Sequence, residues 1–314
     1  MILHHKKKEF EELVRLTSEH IQIPIEAVQK DYFITMVLNN LSNSEYVNEV
    51  VFKGGTSLSK CYPGSIERFS EDIDLTYIPK EGMTDKQISI ILKSIENCLI
   101  NNTKSEIIRE ERNNRNKSTF VWFNDDCKNE EKIKLEIGSS VRPHPFSKKT
   151  LKSYIHEYLL FLNEHEAIQE YRLTDVELNV LNIERTFIDK LFSVKRHAIC
   201  GSLTDKVRHI YDVVKLYQMS EIKEFLENKR ELKQIVKLTK ETDSIYLEKR
   251  NVLEVYNSET PYDFLTWKDT FNKDIRKRYE SLHQSLLYTN EQQDFDIAVQ
   301  VFEEINERLD LINE

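Results

Sequence analysis

The sequence is poor in residues that interrupt regular structure or crosslink it. Its 314 residues include only 6 Gly, 6 Pro and 4 Cys. So little Gly and Pro excludes a collagen-like or low-complexity chain and favours long helices. The cysteines are scattered and form no CxxC pair, so the sequence predicts neither a disulfide framework nor a structural zinc site. We therefore expect a protein of a reducing compartment, the cytoplasm.

Long apolar runs are also absent. The longest is Tyr158–Leu162, whereas a membrane span needs about 20 residues. The first ten residues, MILHHKKKEF, contain no apolar stretch of the kind found in secretory signals. We expect no membrane partner.

The chain carries 45 Lys and Arg against 54 Asp and Glu, a formal net charge of −9. This acidity argues against a protein that coats nucleic acid non-specifically, because such binding depends on many phosphate contacts. It permits an enzyme that engages one end of a nucleic acid.

Hydrophobic periodicity divides the chain near residue 147. Before that point, apolar alternation predicts strands at 49–53, 71–78, 117–124 and 131–139, among helices at 6–20, 25–42, 56–62 and 85–101. After Pro143 and Pro145, helical periodicity predominates at 151–162, 184–199, 204–217, 221–240, 245–256, 262–287 and 291–312, with Val176–Leu181 as the only strand candidate. The sequence therefore predicts an α+β fold. A domain of residues 1–147 carries a mixed sheet and helices, and a mainly helical domain of residues 148–314 follows.

Two carboxylates on one predicted strand are the first candidates for chemistry. Residues two apart on a strand share a face, so Asp72 and Asp74 point the same way while Ile73 and Leu75 point into the core. Like charges this close repel unless a cation lies between them. Mg²⁺ with phosphate oxygens is a usual solution, although a lone Asp-x-Asp is more often a solvated surface feature.

Neighbouring residues strengthen the metal interpretation. Glycines and hydroxyl side chains lie between a buried strand and a helix start, where backbone and side chains can donate to a phosphate; they are Gly54, Gly55, Thr56 and Ser57. A plain turn capped by Thr56 is the alternative. Arg68 and Ser70 precede the acidic strand. Glu136, on the polar side of strand 131–139, is a third candidate metal ligand if its strand neighbours the first, and a solvated strand residue otherwise.

These residues carry a family resemblance. The runs FKGGTSLSK at 52–60 and ERFSEDIDL at 67–75 resemble the signature of the AbiEii/AbiGii toxin family, which belongs to the DNA polymerase β-like nucleotidyltransferase superfamily and includes the MenT-type toxins. Less specific likenesses occur, in chain order, in KDYFITMVL at 30–38, IKLEI at 133–137, ERTFIDKL at 184–191 and RHIYDVVKL at 208–216. The matched segments span residues 30–217, and the remainder is similar only in its helical character.

The resemblance implies a polymerase β-like nucleotidyltransferase domain followed by a helical bundle that contributes to the nucleotide site. It implies transfer of a nucleoside monophosphate from an NTP, with two Mg²⁺ ions, or Mn²⁺, held by Asp72, Asp74 and Glu136. The nucleotide would be bound by Gly54, Gly55, Thr56, Ser57, Arg68, Ser70 and Lys190.

Asp212 completes the predicted site, either by orienting Lys190 or the acceptor hydroxyl, or only as a salt-bridging or capping residue. Three positions depart from the family pattern. Asp189 replaces a Glu, His209 replaces the first Asp of an Arg-Asp-x-Tyr-Asp pattern, and Glu136 replaces an Asp.

Relatives of the MenT type imply an RNA acceptor, a tRNA 3′ end, and a cognate antitoxin encoded alongside. The family also implies a role in phage defence by abortive infection. Three alternatives stay open from the sequence. They are transfer of a nucleotide or phosphate to a protein or small molecule, a catalytically idle NTP-binding module, and a metal-dependent nuclease that needs no NTP.

Overall fold

The computed structural model describes residues 1–101, 103–123, 132–248, 256–285, 287–288 and 294–312. The chain divides into two compact units. The first comprises residues 1–61, 69–139 and 146–180, and the second comprises residues 62–68, 140–145 and 181–314. The boundary predicted near residue 147 stays a prediction.

A seven-stranded mixed sheet forms the centre of the first unit. Its strands are β1 Val50–Lys53, β2 Ile73–Tyr77, β3 Lys104–Ile107, β4 Asn116–Trp122, β5 Ile133–Gly138, β6 Phe146–Leu151 and β7 Val176–Leu181. They lie in the order β3-β4-β5-β2-β1-β7-β6. β1 is antiparallel to β2 and parallel to β7, whereas β2 is parallel to β5. This order places β2, which follows Asp72, beside the strand that carries Glu136.

Helices accompany the sheet in the described part of the first unit. They are α1 Lys7–Ile21, α2 Ile25–Ser42, α3 Gly54–Cys61, α4 Asp85–Leu99, α5 Tyr154–Phe161 and α6 His165–Glu170. α2 buries residues on all sides, as a helix within a core must. α4 begins at a capping box in which Thr84 accepts from the Gln87 amide. The predicted helices at 6–20, 25–42 and 85–101 are confirmed, each to within two residues at either end.

The second unit is helical. Its helices are α7 Ile183–Ile199, α8 Val207–Tyr217, α9 Ser220–Glu227, α10 Lys229–Glu248, α11 Lys273–Ser285 and α12 Phe295–Asp310, with short 3₁₀ turns at Leu203–Lys206, Phe264–Thr266 and Lys268–Thr270. α7 packs against α8 and α10. None of the helices in the described ranges is both long enough and apolar enough to cross a bilayer.

Several predicted elements need correction. Val176–Leu181 is not the only strand after Pro143, because Phe146–Leu151 forms an edge strand and the predicted helix at 151–162 begins only at Tyr154. The predicted helix at 221–240 is two helices separated at Asn228. The helix at 56–62 begins two residues earlier, at Gly54. Residues 124 and 131 of the predicted strands lie outside the described residues, as do Cys127 and the predicted helical residues 249–255, 286 and 291–293.

Candidate active site

Gly54 lies in direct contact with one of the predicted metal ligands. It follows the buried strand β1 and opens helix α3 with a φ of +87°. A Cβ at this position would lie 2.3 Å from Oδ2 of Asp74. Both the backbone conformation and the lack of a side chain therefore allow the turn to approach the Asp74 carboxylate.

Gly54→Ala tests this close approach. We expect the variant to lose most nucleotidyl transfer and about 1–3 kcal/mol of unfolding free energy, because the new methyl group meets a carboxylate and the residue keeps a strained φ. Gly82→Ala is the matched control, since Gly82 has a φ of +79° and no atom of the described residues lies within 4 Å of where its methyl group would stand. The control should lose stability through strain alone and keep its activity. Nucleotidyl transfer and urea unfolding are measured for both variants. Equal losses of activity in the two would contradict the role of Gly54 in allowing the turn to approach Asp74.

Thr56 connects the start of α3 to the acidic segment. Its hydroxyl lies 2.5 Å from the Asp72 carbonyl oxygen and 3.0 Å from the Ser70 hydroxyl. Ser57 donates to the Gly54 carbonyl at 2.9 Å. Both side chains are buried, while Gly54 and Gly55 are half-exposed. The hydroxyls thus fix the turn to its neighbours, and the phosphate-binding roles predicted for them stay predictions.

Two of the three predicted metal ligands lie side by side. In the parallel pair of β2 and β5, Asp74 is the register partner of Glu136, and Ile73 is the partner of Leu135. Ile73 and Leu135 are buried, whereas Asp74 and Glu136 are half-exposed, so the carboxylates share the opposite face. Asp72 is exposed just before β2. We call Asp72, Asp74 and Glu136 the acidic row.

Two lysines that sequence reasoning did not assign lie next to the acidic row. Lys53 is the register partner of Asp74 on β1. The Nζ of Lys134, two residues before Glu136 on β5, lies 3.7 Å from Glu136 Oε2. The sequence pattern Lys134-Leu135-Glu136 places the Lys134 and Glu136 side chains on one face of a strand. The position of Lys134 beside Glu136 could therefore have been found from the sequence. Lys53 becomes visible only from the pairing of β1 with β2.

Helix α2 supports the site through a buried ion pair. The Lys60 ammonium, at the end of α3, donates to Asp31 Oδ1 at 2.6 Å, and the Tyr154 amide donates to Asp31 Oδ2 at 2.7 Å. The neighbouring Lys30 pairs with Glu71, which immediately precedes Asp72. Adjacent residues of α2 therefore hold both the glycine-turn helix and the segment that leads into the acidic row.

The donor set of the acidic row fits a hard divalent cation. Carboxylate oxygens are the protein ligands that Mg²⁺ prefers, and Gly54 has no side chain that would displace the Asp74 carboxylate. Within the described ranges, no three His, Cys, Asp or Glu side chains are already grouped as a metal site.

The remaining predicted residues meet in the second unit. The Arg68 guanidinium donates to both carboxylate oxygens of Asp212, at 2.6 and 2.7 Å, and Lys190 lies 2.7 Å from Asp212 Oδ2. All three side chains are buried. Burial alone would raise the pKa of Asp212, but the charges of Arg68 and Lys190 outweigh it and hold the pKa well below its ordinary value. Asp212 thus makes the contact with Lys190 that one of the predicted alternatives required.

His209 lies one helical turn before Asp212 on α8. Its Nδ1 is 3.1 Å from the Ser193 hydroxyl of α7. Desolvation, followed by the charge of Lys190, lowers the pKa of His209 well below its ordinary value. At neutral pH His209 therefore carries no charge, unlike the aspartate that the resemblance implies at this position.

This shift makes a pH-dependent stability effect testable. Below about pH 6.5 the unfolded chain protonates His209 and the folded chain does not, so stability should fall as the pH decreases. His209→Asn should reduce the slope of unfolding free energy between pH 6.5 and 5 by up to about 1.4 kcal/mol per pH unit. His165→Asn, at an exposed histidine, is the control and should leave the slope unchanged. Identical slopes in urea titrations of His209→Asn and wild type would contradict the prediction.

A comparison with protein families adds the decisive observation. The family model described as the nucleotidyl transferase AbiEii toxin of type IV toxin–antitoxin systems matches residues 37–301. The chain belongs to this family. It is therefore a nucleotidyltransferase toxin, and the family implies an NTP substrate and an antitoxin partner.

Solved structures resemble this AbiEii-family toxin along most of its length. MenT4, the nucleotidyltransferase toxin Rv2826c of Mycobacterium tuberculosis H37Rv, is 18% identical, with 95% of this chain and 98% of that chain covered and a TM-score of 0.48. JHP933 from Helicobacter pylori is 17% identical, with 91% and 93% covered and a TM-score of 0.45. No curated protein matches the toxin.

Proposed function

We propose that this toxin transfers a nucleoside monophosphate from an NTP to an RNA acceptor, the 3′ end of a tRNA, in a Mg²⁺-dependent reaction that releases pyrophosphate. The observation that carries the proposal is the pairing of Asp74 with Glu136 on adjacent strands, with Gly54 against the Asp74 carboxylate. The RNA acceptor follows from the family resemblance. An antitoxin encoded alongside and a role in phage defence complete the proposal.

The acidic row would hold the divalent cation through Asp72, Asp74 and Glu136. When bound, the cation neutralises phosphate charge and lowers the pKa of the acceptor hydroxyl. The half-exposed Gly54 and Gly55 present backbone at the N-terminus of α3, where helix amides favour an anion such as the nucleotide phosphates. Because Thr56 hydrogen-bonds to the Asp72 carbonyl, the phosphate-binding turn and the acidic segment keep one relative position.

In the proposed reaction the acceptor oxygen forms a bond to the α-phosphorus as the bond to the β-phosphate bridging oxygen breaks. The acceptor proton passes to water and pyrophosphate leaves. Lys190 keeps its predicted role of binding the negatively charged triphosphate. Its ion pair with Asp212 fixes the position of the ammonium.

Labelling with each NTP in turn tests the proposal. The purified protein is incubated with total RNA, Mg²⁺ and one α-³²P-labelled NTP at a time, and RNA and protein are resolved on gels. We expect label in the tRNA band with a preferred NTP, and no label after EDTA treatment. tRNA whose terminal ribose has been oxidised by periodate is the control and should accept none. Label on protein, or RNA cleavage without NTP, would contradict the proposed acceptor or the proposed reaction, respectively.

A further inference from the structure

Lys134 is placed between carboxylates of two different elements. Its ammonium lies 2.7 Å from Glu111 Oε2, in a short 3₁₀ turn, and 3.7 Å from Glu136 Oε2 on its own strand. The Lys134 side chain is about one-quarter exposed (26%), so water screens these interactions only in part. The Lys134 ammonium therefore interacts both with a carboxylate of the acidic row, Glu136, and with a carboxylate outside the row, Glu111.

This placement addresses a physical problem of the acidic row. The Asp74 and Glu136 carboxylates share one face of adjacent strands and repel each other when no metal is bound, and Asp72 adds a third negative charge just before β2. This repulsion opposes the geometry that a metal needs. An ammonium on the same face reduces the repulsion. The same ammonium would compete with a divalent cation for Glu136 unless it had another partner, and Glu111 is already the nearer one.

We propose that Lys134 is a positioning residue that stabilises the acidic row in the metal-free protein, and that Glu111 retains its ammonium when a divalent cation binds Glu136. The inference rests on the proposed function in one respect, namely that Glu136 is a ligand of the cation. Lys134 and Glu111 together set the divalent affinity of the row. Neither residue has to touch the substrate.

The two residues should have opposite effects on metal affinity. Lys134→Met removes the competing positive charge, so Mn²⁺ should bind at least about fivefold more tightly, the scale of one unit charge at about 4 Å when it is screened as in water. Glu111→Gln removes the partner that draws the ammonium away from Glu136, so Mn²⁺ should bind several-fold more weakly. A general loss of folding would weaken binding in both variants.

Isothermal titration of Mn²⁺ into the full-length protein, without nucleotide and at low salt, measures the effect. Lys132→Met is the matched control, because Lys132 lies two residues away next to β5 and pairs with Glu106 at 2.8 Å. It loses the same charge and should change the Mn²⁺ affinity less than about twofold, because the Lys132 ammonium pairs with Glu106 and not with a carboxylate of the acidic row. Thermal unfolding in EDTA is the second measurement. There Lys134→Met should melt at a lower temperature than wild type and recover when Mn²⁺ is added.

The results separate this inference from the proposed function. If the wild type binds Mn²⁺ but Lys134→Met binds no more tightly, or if Lys132→Met gains as much, the role of Lys134 is wrong. An unchanged affinity in Glu111→Gln would overturn the part assigned to Glu111. If neither the wild type nor Lys134→Met binds Mn²⁺, the metal site of the proposed function fails, and this inference fails with it.

Discussion

Asp74→Asn should reduce nucleotidyl transfer severely while leaving a folded protein. Asp74 is the register partner of Glu136 and lies next to Gly54. In the proposed site it is therefore the carboxylate that lies between the metal and the phosphate-binding turn. Asparagine keeps the size of the side chain but removes the charge that holds a divalent cation. We expect the transfer rate to fall by roughly 100- to 1,000-fold, the scale seen when one group that stabilises transition-state charge is removed.

Single-turnover transfer of α-³²P-labelled nucleotide to RNA measures this loss, and thermal unfolding confirms that the variant folds. Asp175→Asn is the control because it makes the same chemical change at an exposed aspartate of the first unit. The control should keep wild-type activity. An Asp74→Asn variant with a transfer rate within tenfold of the wild type would remove Asp74 from the catalytic machinery.

Asp212→Asn should be the most destabilising single substitution among the predicted site residues. Asp212 is fully buried and bonds to two cations, Arg68 and Lys190, which are themselves buried. Loss of its charge leaves these cations close together without the carboxylate between them. Breaking a buried ion pair by removing one partner costs about 3–5 kcal/mol, and we expect a decrease of this size in the free energy of unfolding.

Urea unfolding of two further variants shows whether the charge cluster causes the loss. Lys190→Met removes one cation but leaves the two-point contact of Arg68 with Asp212, so its loss of stability should be smaller. Glu303→Gln breaks the partly exposed pair with Lys268 and should cost at most about 1 kcal/mol. If Asp212→Asn cost no more than Glu303→Gln, the cluster would contribute little to the stability of the second unit.

The strongest elements of the fold were predictable from local pattern. The buried run of β1, the acid–aliphatic alternation of β2 and β5, and the apolar periodicity of α2 and α4 gave their positions to within two residues, because each element buries one side or all of its surface. β3 and β6 were missed. All four residues of β3 are exposed, and β6, at the opposite sheet edge, carries the adjacent lysines Lys148 and Lys149 and buries only Leu151. Neither strand therefore shows the hydrophobic alternation that identifies a half-buried strand.

The sequence predicted which residues belong to the candidate site, but only part of how they are arranged in space. The glycine turn and the Asp-x-Asp spacing were visible because they are short and local. The contact of Arg68 with Asp212 was not visible, since 144 residues separate Arg68 from this carboxylate partner. For the same reason nothing in the sequence showed that Lys60 is held by Asp31 or that Lys134 is shared with Glu111.

The amino-acid order alone determined which carboxylates face one way on a strand, where a glycine turn precedes a helix, and to which family the motifs are similar. These features depend on neighbours a few residues apart, for which the backbone geometry of strands and helices is sufficient. Strand order decided the rest. By placing β2 between β1 and β5, the folded chain sets Asp74 between Lys53 and Glu136, a neighbourhood that arises from hydrogen bonding between distant segments and from the burial of their shared apolar face.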